Sequence, residues 1–140
     1  MKTSLLSILV PVYNESECLP LLYERLCAVT ATLPCEVEIF FVNDGSTDYT
    51  LDQVKALQKK DRRISCLDLS RNYGKEIAVS AGIDYIQGDA LVIMDADLQD
   101  PPELIQELLA GIEEGFDDVY ACRKTRKGES WFKKWTSRRY

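Results

Sequence analysis

The stretch Ala90-Leu91-Val92-Ile93-Met94-Asp95-Ala96-Asp97-Leu98-Gln99-Asp100-Pro101-Pro102-Glu103 reads as a strand, a polar turn and a helix start in succession. Five apolar residues in a row, Ala90 to Met94, have the pattern of a buried strand. Asp95 and Asp97 follow at i, i+2, a spacing that can aim two carboxylates at one hard cation. Oxygen ligands suit Mg²⁺ or Mn²⁺, ions that also hold substrate phosphates. Asp100 reads as a helix N-cap, with Pro101 at the first helical position and Glu103 three residues on. Asp95 and Asp97 are not needed as caps. A D-x-D is common in turns, so its weight depends on what else the chain brings to the same place.

The same alternation runs outward in both directions. Leu5 to Val12 is apolar and β-branched, and Asn14 with Glu17 resembles a capping box. Leu19, Leu22, Leu26 and Val29 form a helical stripe that closes before Pro34. Val37 to Val42 predicts a second strand, and Leu51, Val54 and Leu57 one face of a short helix. Ile64 to Leu69 predicts a third strand. Ile77, Ala78, Ala81 and Tyr85 mark a third helix, broken at Gly88. Beyond the opening stretch, Leu104, Ile105, Leu108, Leu109 and Ile112 make the cleanest helical stripe, and Asp118 to Cys122 a fifth strand. Strands alternating with helices predict an α/β domain with a mainly parallel sheet and right-handed crossovers.

In such sheets ligands bind beyond the carboxyl ends of the strands. Tyr13-Asn14-Glu15, Asn43-Asp44, Arg71-Asn72 and Asp95/Asp97 each follow one of the first four strands, so all four polar clusters fall on that edge. One cluster is ordinary turn chemistry; four together predict a site. Neither G-x-G-x-x-G nor G-x-x-x-x-G-K-[ST] occurs, so phosphates must be neutralised another way, by a carboxylate-held divalent ion. Asp44 suits a base N–H or a ribose hydroxyl, and Asp44-Gly45-Ser46 fits a plain turn equally well. Arg71 and Lys75 read as solvated helix-start charges or as phosphate contacts.

The chain of 140 residues holds one domain with a proper core, and its 46% hydrophobic and 29% charged content is ordinary for a globular protein. No apolar run approaches the roughly 20 residues that span a bilayer. Five cysteines without a C-x-x-C pair read as free thiols in a reducing compartment. The absence of histidine excludes His-ligated zinc and a His general base. The net charge of −6 is unevenly spread: residues 123–140 carry eight Lys/Arg against one acid, and all other acids precede them. Trp131 and Trp135 lie among these charges at i, i+4, which on a helix puts both rings on one face, as an interfacial membrane helix requires. A solvated basic helix whose aromatics pack on the body has the same pattern. The acidic body argues against nucleic acid as a partner.

Val10-Pro11-Val12-Tyr13-Asn14-Glu15, Val42-Asn43-Asp44-Gly45-Ser46-Thr47-Asp48, Arg71-Asn72-Tyr73-Gly74-Lys75 and Asp95-Ala96-Asp97-Leu98-Gln99-Asp100 together resemble the family 2 glycosyltransferases. The Leu98-Gln99-Asp100-Pro101-Pro102-Glu103 extension and the Arg-Asn-x-Gly-Lys element are most similar to the polyprenyl-phosphate subgroup, which includes dolichol-phosphate mannose synthase and the bactoprenol glucosyltransferases. The resemblance implies the GT-A fold, a Rossmann-like three-layer sandwich. It implies a nucleotide pocket lined by Pro11, Tyr13 and Glu15, with Asp44 on the base. Asp95 would meet the nucleotide-sugar and metal, Asp97 and Gln99 would ligate Mg²⁺ or Mn²⁺, and Asp95 and Asp97 would be the catalytic pair. Arg123, with Arg138 as a second arginine, would meet the acceptor phosphate. Many relatives have Asp where this chain has Asn43.

The implied reaction is inverting transfer from a UDP- or GDP-sugar to a polyprenyl phosphate, in cell-envelope or glycan biosynthesis. A phosphate acceptor is largely anionic at neutral pH and needs little help from a base. Transfer to a saccharide hydroxyl, and a noncatalytic nucleotide-binding module, are the alternatives. Residues 1–122 are expected to form the donor-binding core and 123–140 the start of an acceptor and membrane-proximal segment. Relatives of this kind run longer, so the chain is expected to be an N-terminal fragment of an enzyme at the cytoplasmic face of the membrane.

Overall fold

The computed structural model describes residues 2–123 and 132–138, with only the backbone described for 117–123 and 132–138. Strand β1 (Leu5–Val12) is buried along nearly its whole length because it has a neighbour on each side. Strand β2 (Glu36–Asn43) pairs with it in parallel from Leu5↔Glu36 to Val12↔Asn43. Strand β3 (Ile64–Asp68) lies outside β2, and β4 (Ala90–Ile93) lies on the other side of β1, giving the parallel order β3-β2-β1-β4. Central parallel strands are covered on both faces, which is why β1 and β2 read as continuous apolar runs.

Helix α1 (Leu19–Thr30), α2 (Thr50–Lys60) and α4 (Leu104–Glu113) cover one face of the sheet, and α3 (Lys75–Ile83) covers the other. On the first face Leu19, Leu22, Leu26, Val54, Leu57, Ile105 and Leu109 pack against Ile8, Val10, Ile39 and Phe41. On the second, Ala78 meets Leu9, Phe40 and Val42. The result is the expected α/β three-layer arrangement. The described cysteines Cys18, Cys27, Cys35 and Cys66 are half-buried free thiols. Burial, with the Asp68 charge beside it, pushes the Cys66 thiol up to about 11. No helix among the described residues is long and apolar enough to cross a membrane.

Several local expectations are corrected. The strand of the opening stretch lies at the edge of the described sheet, and Ile93 is 46% exposed. Asp100 caps nothing: α4 begins at Leu104 with Glu103 as its N-cap residue, and no side chain caps it. Glu103 instead pairs with Arg25 of α1 at 2.6 Å. Asn14 is no cap for α1, which starts at Leu19. The inner face of α3 is Ala78 and Gly82, while Ile77 is 53% exposed. A Cβ on Gly82 would crowd Leu9 and Val42, so the small residue sets how closely α3 approaches the sheet. The fifth strand, β5 (Phe116–Arg123), does not join the parallel sheet; it pairs antiparallel with β6 (Phe132–Arg138). Trp135 thus sits in an extended segment, which removes the i, i+4 helical face, and Trp131 lies outside the described residues.

Candidate active site

The chain leaves β1 towards β2 on one side and reaches β4 on the other, so the strand order reverses between β1 and β4. A crevice opens at such a switch point. Here the end of β4 widens it. The Met94 N–H still reaches the Leu9 carbonyl at 3.1 Å, and β4 pairs with β1 no further than Leu9. Residues i and i+2 of a strand turn their N–H and C=O groups to the same side, so Pro11 faces the gap past β4. Its missing N–H therefore costs no ladder bond, although β1 is a central strand.

Four loops surround this gap and line a cavity of about 320 Å³. Pro11, Val12, Tyr13 and Glu15 come from the end of β1 and Asp44 from the end of β2. Asn72, Gly74 and Lys75 come from the approach to α3, and Asp95, Ala96 and Asp97 from the end of β4. Two non-glycine residues in these loops have positive φ, Asn14 at 51° and Leu98 at 64°. Such conformations persist where surrounding bonds fix them, and they cluster at functional sites.

The first two loops are stitched together by side-chain-to-backbone bonds. Asn14 Oδ1 accepts from the backbone N–H of Thr47 at 2.8 Å and of Asp48 at 3.3 Å. The Asn14 N–H donates to Ser46 Oγ at 3.0 Å, and the Glu15 N–H to Thr50 Oγ1 at 2.9 Å. Asp48 accepts from the Thr50 N–H and hydroxyl and from the Ser16 N–H. Burial opposes the charge on Asp48, yet these bonds from Thr50 and Ser16 hold its carboxyl down at about 2. Ser46, Thr47 and Asp48 thus fix the backbone that carries Tyr13 and Glu15.

The second and third loops are joined through Asp44, which is 3% exposed. Its Oδ1 accepts the Tyr73 N–H at 2.8 Å, and its Oδ2 accepts the Gly74 N–H at 3.0 Å and the Asn72 amide at 3.2 Å. The Asn72 amide also reaches the Asp44 carbonyl. Gly45, at φ 70°, allows this approach, because a Cβ there would overlap the backbone of Arg71 and Asn72. Asn43 donates its amide to Asp68 at 2.9 Å, so its departure from Asp supplies a donor where a second acid would face a carboxylate. Arg71 stacks on the Tyr73 ring at 4.3 Å and is not part of the cavity lining; Lys75 is.

Asp95 and Asp97 share the cavity wall. Lys75 Nζ pairs with Asp95 Oδ1 at 2.5 Å, and Asp97 Oδ1 accepts the Gln99 N–H at 3.1 Å. Burial, and then the charges of Asp97, Asp48 and Asp95, raise the Glu15 carboxyl above its ordinary value. Carboxylates therefore converge here strongly enough to feel one another. Among the described residues no three acidic, histidine or cysteine side chains form a ready cage for a metal. Two carboxylates on one wall nonetheless fit Mg²⁺ or Mn²⁺, which take one or two protein carboxylates and complete their shell with water and substrate phosphate.

Of the residues expected from sequence, Pro11, Tyr13, Glu15, Asp44, Asp95 and Asp97 all line the one cavity. Gln99 is not among its lining residues; its backbone supports Asp97. Arg123 and Arg138 lie at opposite ends of the β5–β6 hairpin, paired in register with Phe132 and Phe116, and their side chains lie outside the described residues. Of the other basic residues of 123–140, Lys124, Arg126, Lys127 and Arg139 lie outside them entirely.

Comparison with known proteins gives the family and the fold. The chain is 52% identical over 135 residues to an uncharacterized glycosyltransferase, sll0501, of Synechocystis sp., covering 96% of this chain and 42% of that protein. It is 48% identical over 131 residues to the uncharacterized glycosyltransferase YkcC of Bacillus subtilis, covering 94% and 41%. The chain thus spans about two fifths of the length of the curated relatives it matches. Among solved structures it superposes on S. aureus TarS 1–349 in complex with UDP-GlcNAc with a TM-score of 0.70, at 26% identity, over 89% of this chain and 36% of that one. It shares the fold of the mannosyltransferase PcManGT from Pyrobaculum calidifontis, solved with GDP-Man and Mn²⁺, with a TM-score of 0.57 at 23% identity over 72% and 34%. The model of glycosyl transferase family 2 matches residues 7–140, and the chain belongs to that family.

Proposed function

We propose that residues 1–122 form the donor-binding core of an inverting glycosyltransferase that moves a sugar from a UDP- or GDP-sugar to a polyprenyl phosphate. The observation that carries this is the meeting of Asp44, Asp95 and Asp97 with the Pro11–Glu15 loop around one cavity at the switch point. The UDP-GlcNAc complex of TarS and the GDP-Man and Mn²⁺ complex of PcManGT support a nucleotide-sugar as the ligand. Pro11 and Tyr13 flank the nucleoside, with Asp44 at the base. Asp97 and Asp95, with Gln99, would hold Mg²⁺ or Mn²⁺, which when bound supplies Lewis-acid stabilisation of the departing diphosphate.

The residues of the chain orient the donor so that its anomeric carbon is open to attack from the face opposite the diphosphate. An acceptor phosphate oxygen forms the new bond to that carbon as the bond to the diphosphate breaks, and the configuration inverts. A phosphate nucleophile is already anionic near neutral pH, with a second pKa of about 6, and needs no histidine. In this proposal residues 123–140 begin the acceptor side: Arg123 and Arg138 meet the lipid phosphate, and the basic segment lies at the cytoplasmic surface of an anionic bilayer. Each basic residue near such a surface contributes roughly 1 kcal/mol.

Calorimetric titration with UDP- and GDP-sugars, with and without Mn²⁺, tests the donor half. One nucleotide class is expected to bind in a Mn²⁺-dependent way. A short-chain polyprenyl phosphate, set against the matching polyprenol, tests the acceptor half. Equal affinity for the two lipids, or binding of a saccharide in their place, contradicts a lipid-phosphate acceptor.

A further inference from the structure

Four carboxylates line the cavity, those of Glu15, Asp44, Asp95 and Asp97, and Lys75 is the one cationic side chain among the described lining residues. A nucleoside diphosphate entering such a wall needs counter-charge. Lys75 opens α3 and sets its ammonium 2.5 Å from Asp95 Oδ1, with the two side chains 59% and 36% exposed. An ion pair this open is cheap to break and sensitive to salt. Lysine also carries its charge on a flexible four-carbon stem, so the ammonium can change partner without a backbone movement. Asp44 offers it no competing partner of equal freedom, because both of its oxygens already accept bonds from the Asn72–Gly74 loop.

We propose that Lys75 is a tethered counter-cation that competes with the divalent ion for Asp95. By drawing the ammonium to itself, the donor's diphosphate releases that carboxylate to the metal. This rests on the metal-dependent donor site proposed above and adds a rule to it. Metal alone binds against the Lys75 charge, diphosphate recruits that charge, and the two ligands therefore raise each other's affinity. Such coupling is reciprocal.

Mn²⁺ affinity measured from the free-ion electron paramagnetic resonance signal, with and without UDP, tests this in the parent chain, Lys75→Met, Lys75→Arg and Asp97→Asn. Lys75→Met is expected to bind Mn²⁺ alone about fivefold more tightly, as fits the removal of an exposed charge at contact distance. It should bind UDP without metal more weakly, and the enhancement of Mn²⁺ binding by UDP should shrink. Lys75→Arg keeps the charge, so its Mn²⁺ affinity without UDP should be no higher than the parent's. Mn²⁺ affinity that is unchanged or lower in Lys75→Met overturns the competition. If Asp97→Asn leaves Mn²⁺ binding intact, the metal site itself is wrong. Loss of binding in Asp97→Asn alongside no gain in Lys75→Met leaves the site standing and removes only the role of Lys75.

Discussion

Asp44 takes the backbone N–H of Tyr73 onto its Oδ1 at 2.8 Å, fastening the end of β2 to the loop that enters α3. The same carboxylate holds Gly74 and the Asn72 amide, so the residue expected to read the nucleotide base also shapes the wall beside it. Asp44→Ala would leave two backbone donors and one amide donor without the nearly buried carboxylate they share. Losing a charged acceptor in such a place costs about 2–4 kcal/mol. Denaturant unfolding should show that loss, together with weaker nucleotide binding. Weaker binding at parental stability would mean that Asp44 contacts ligand without holding the loop.

Gly45 and Gly115 separate two costs of a side chain at positive φ. Both have positive φ, 70° and 102°, but of the two only at Gly45 would a Cβ meet backbone among the described residues, that of Arg71 and Asn72. Gly115→Ala should cost about 1 kcal/mol from conformation alone. Gly45→Ala should cost at least about 2 kcal/mol and also lower nucleotide affinity, since it pushes the Asn72 loop away. Similar melting temperatures for the two variants would contradict the close approach.

Asn43 is 2% exposed and bridges β2 to Asp68 of β3. Asn43→Asp replaces the donor with an acid facing another acid. A loss of roughly 2–3 kcal/mol is expected at pH 7, shrinking as the pH falls and one of the two carboxyls takes a proton. Urea unfolding at pH 5 and pH 7 measures it. A variant as stable as the parent at pH 7 would contradict the bridge.

Two carboxylates are expected to make the fold acid-sensitive. The bonds from Arg63 come first among the causes that hold Asp61 well below the carboxylate range, and the bonds from Thr50 and Ser16 keep Asp48 at about 2 against an ordinary value of 3.8. Groups depressed in the folded state contribute stability that is complete above their unfolded values and is lost as the pH falls through the folded ones. Stability from this source should hold from neutrality to about pH 5 and then decline. Asp48→Asn and Asp61→Asn should each flatten that decline while lowering stability at pH 7. Parental acid profiles in both variants would contradict the assignment.

The parallel sheet and the site edge were legible because the apolar runs of β1 and β2 alternate with the α1 stripe, and because each of the first four strands ends in polar residues. Asp100-Pro101-Pro102-Glu103 has the residues of a cap, but Glu103 pairs with Arg25, a contact remote in sequence. The strand ending at Ile93 looks buried because an edge strand packed on one face has the same composition as a central one. Trp135 carries helical spacing in a segment that pairs as a strand, a tertiary choice that no local period encodes. Asn14 and Ser46-Thr47-Asp48 fall inside the stretches that carry the family resemblance, but that they bond to each other is set by the loop geometry and not by local spacing.

The proposed role of Asp97 is to hold the metal of a nucleotide-sugar site. It is tested most directly by titrating the parent and Asp97→Asn with UDP-GlcNAc and GDP-mannose at fixed Mn²⁺, then repeating after chelation. The parent is expected to bind one of these donors at least tenfold more tightly with Mn²⁺ than without, and Asp97→Asn to lose most of that difference while keeping the parental fold by circular dichroism. Equal metal dependence in the two proteins would contradict it.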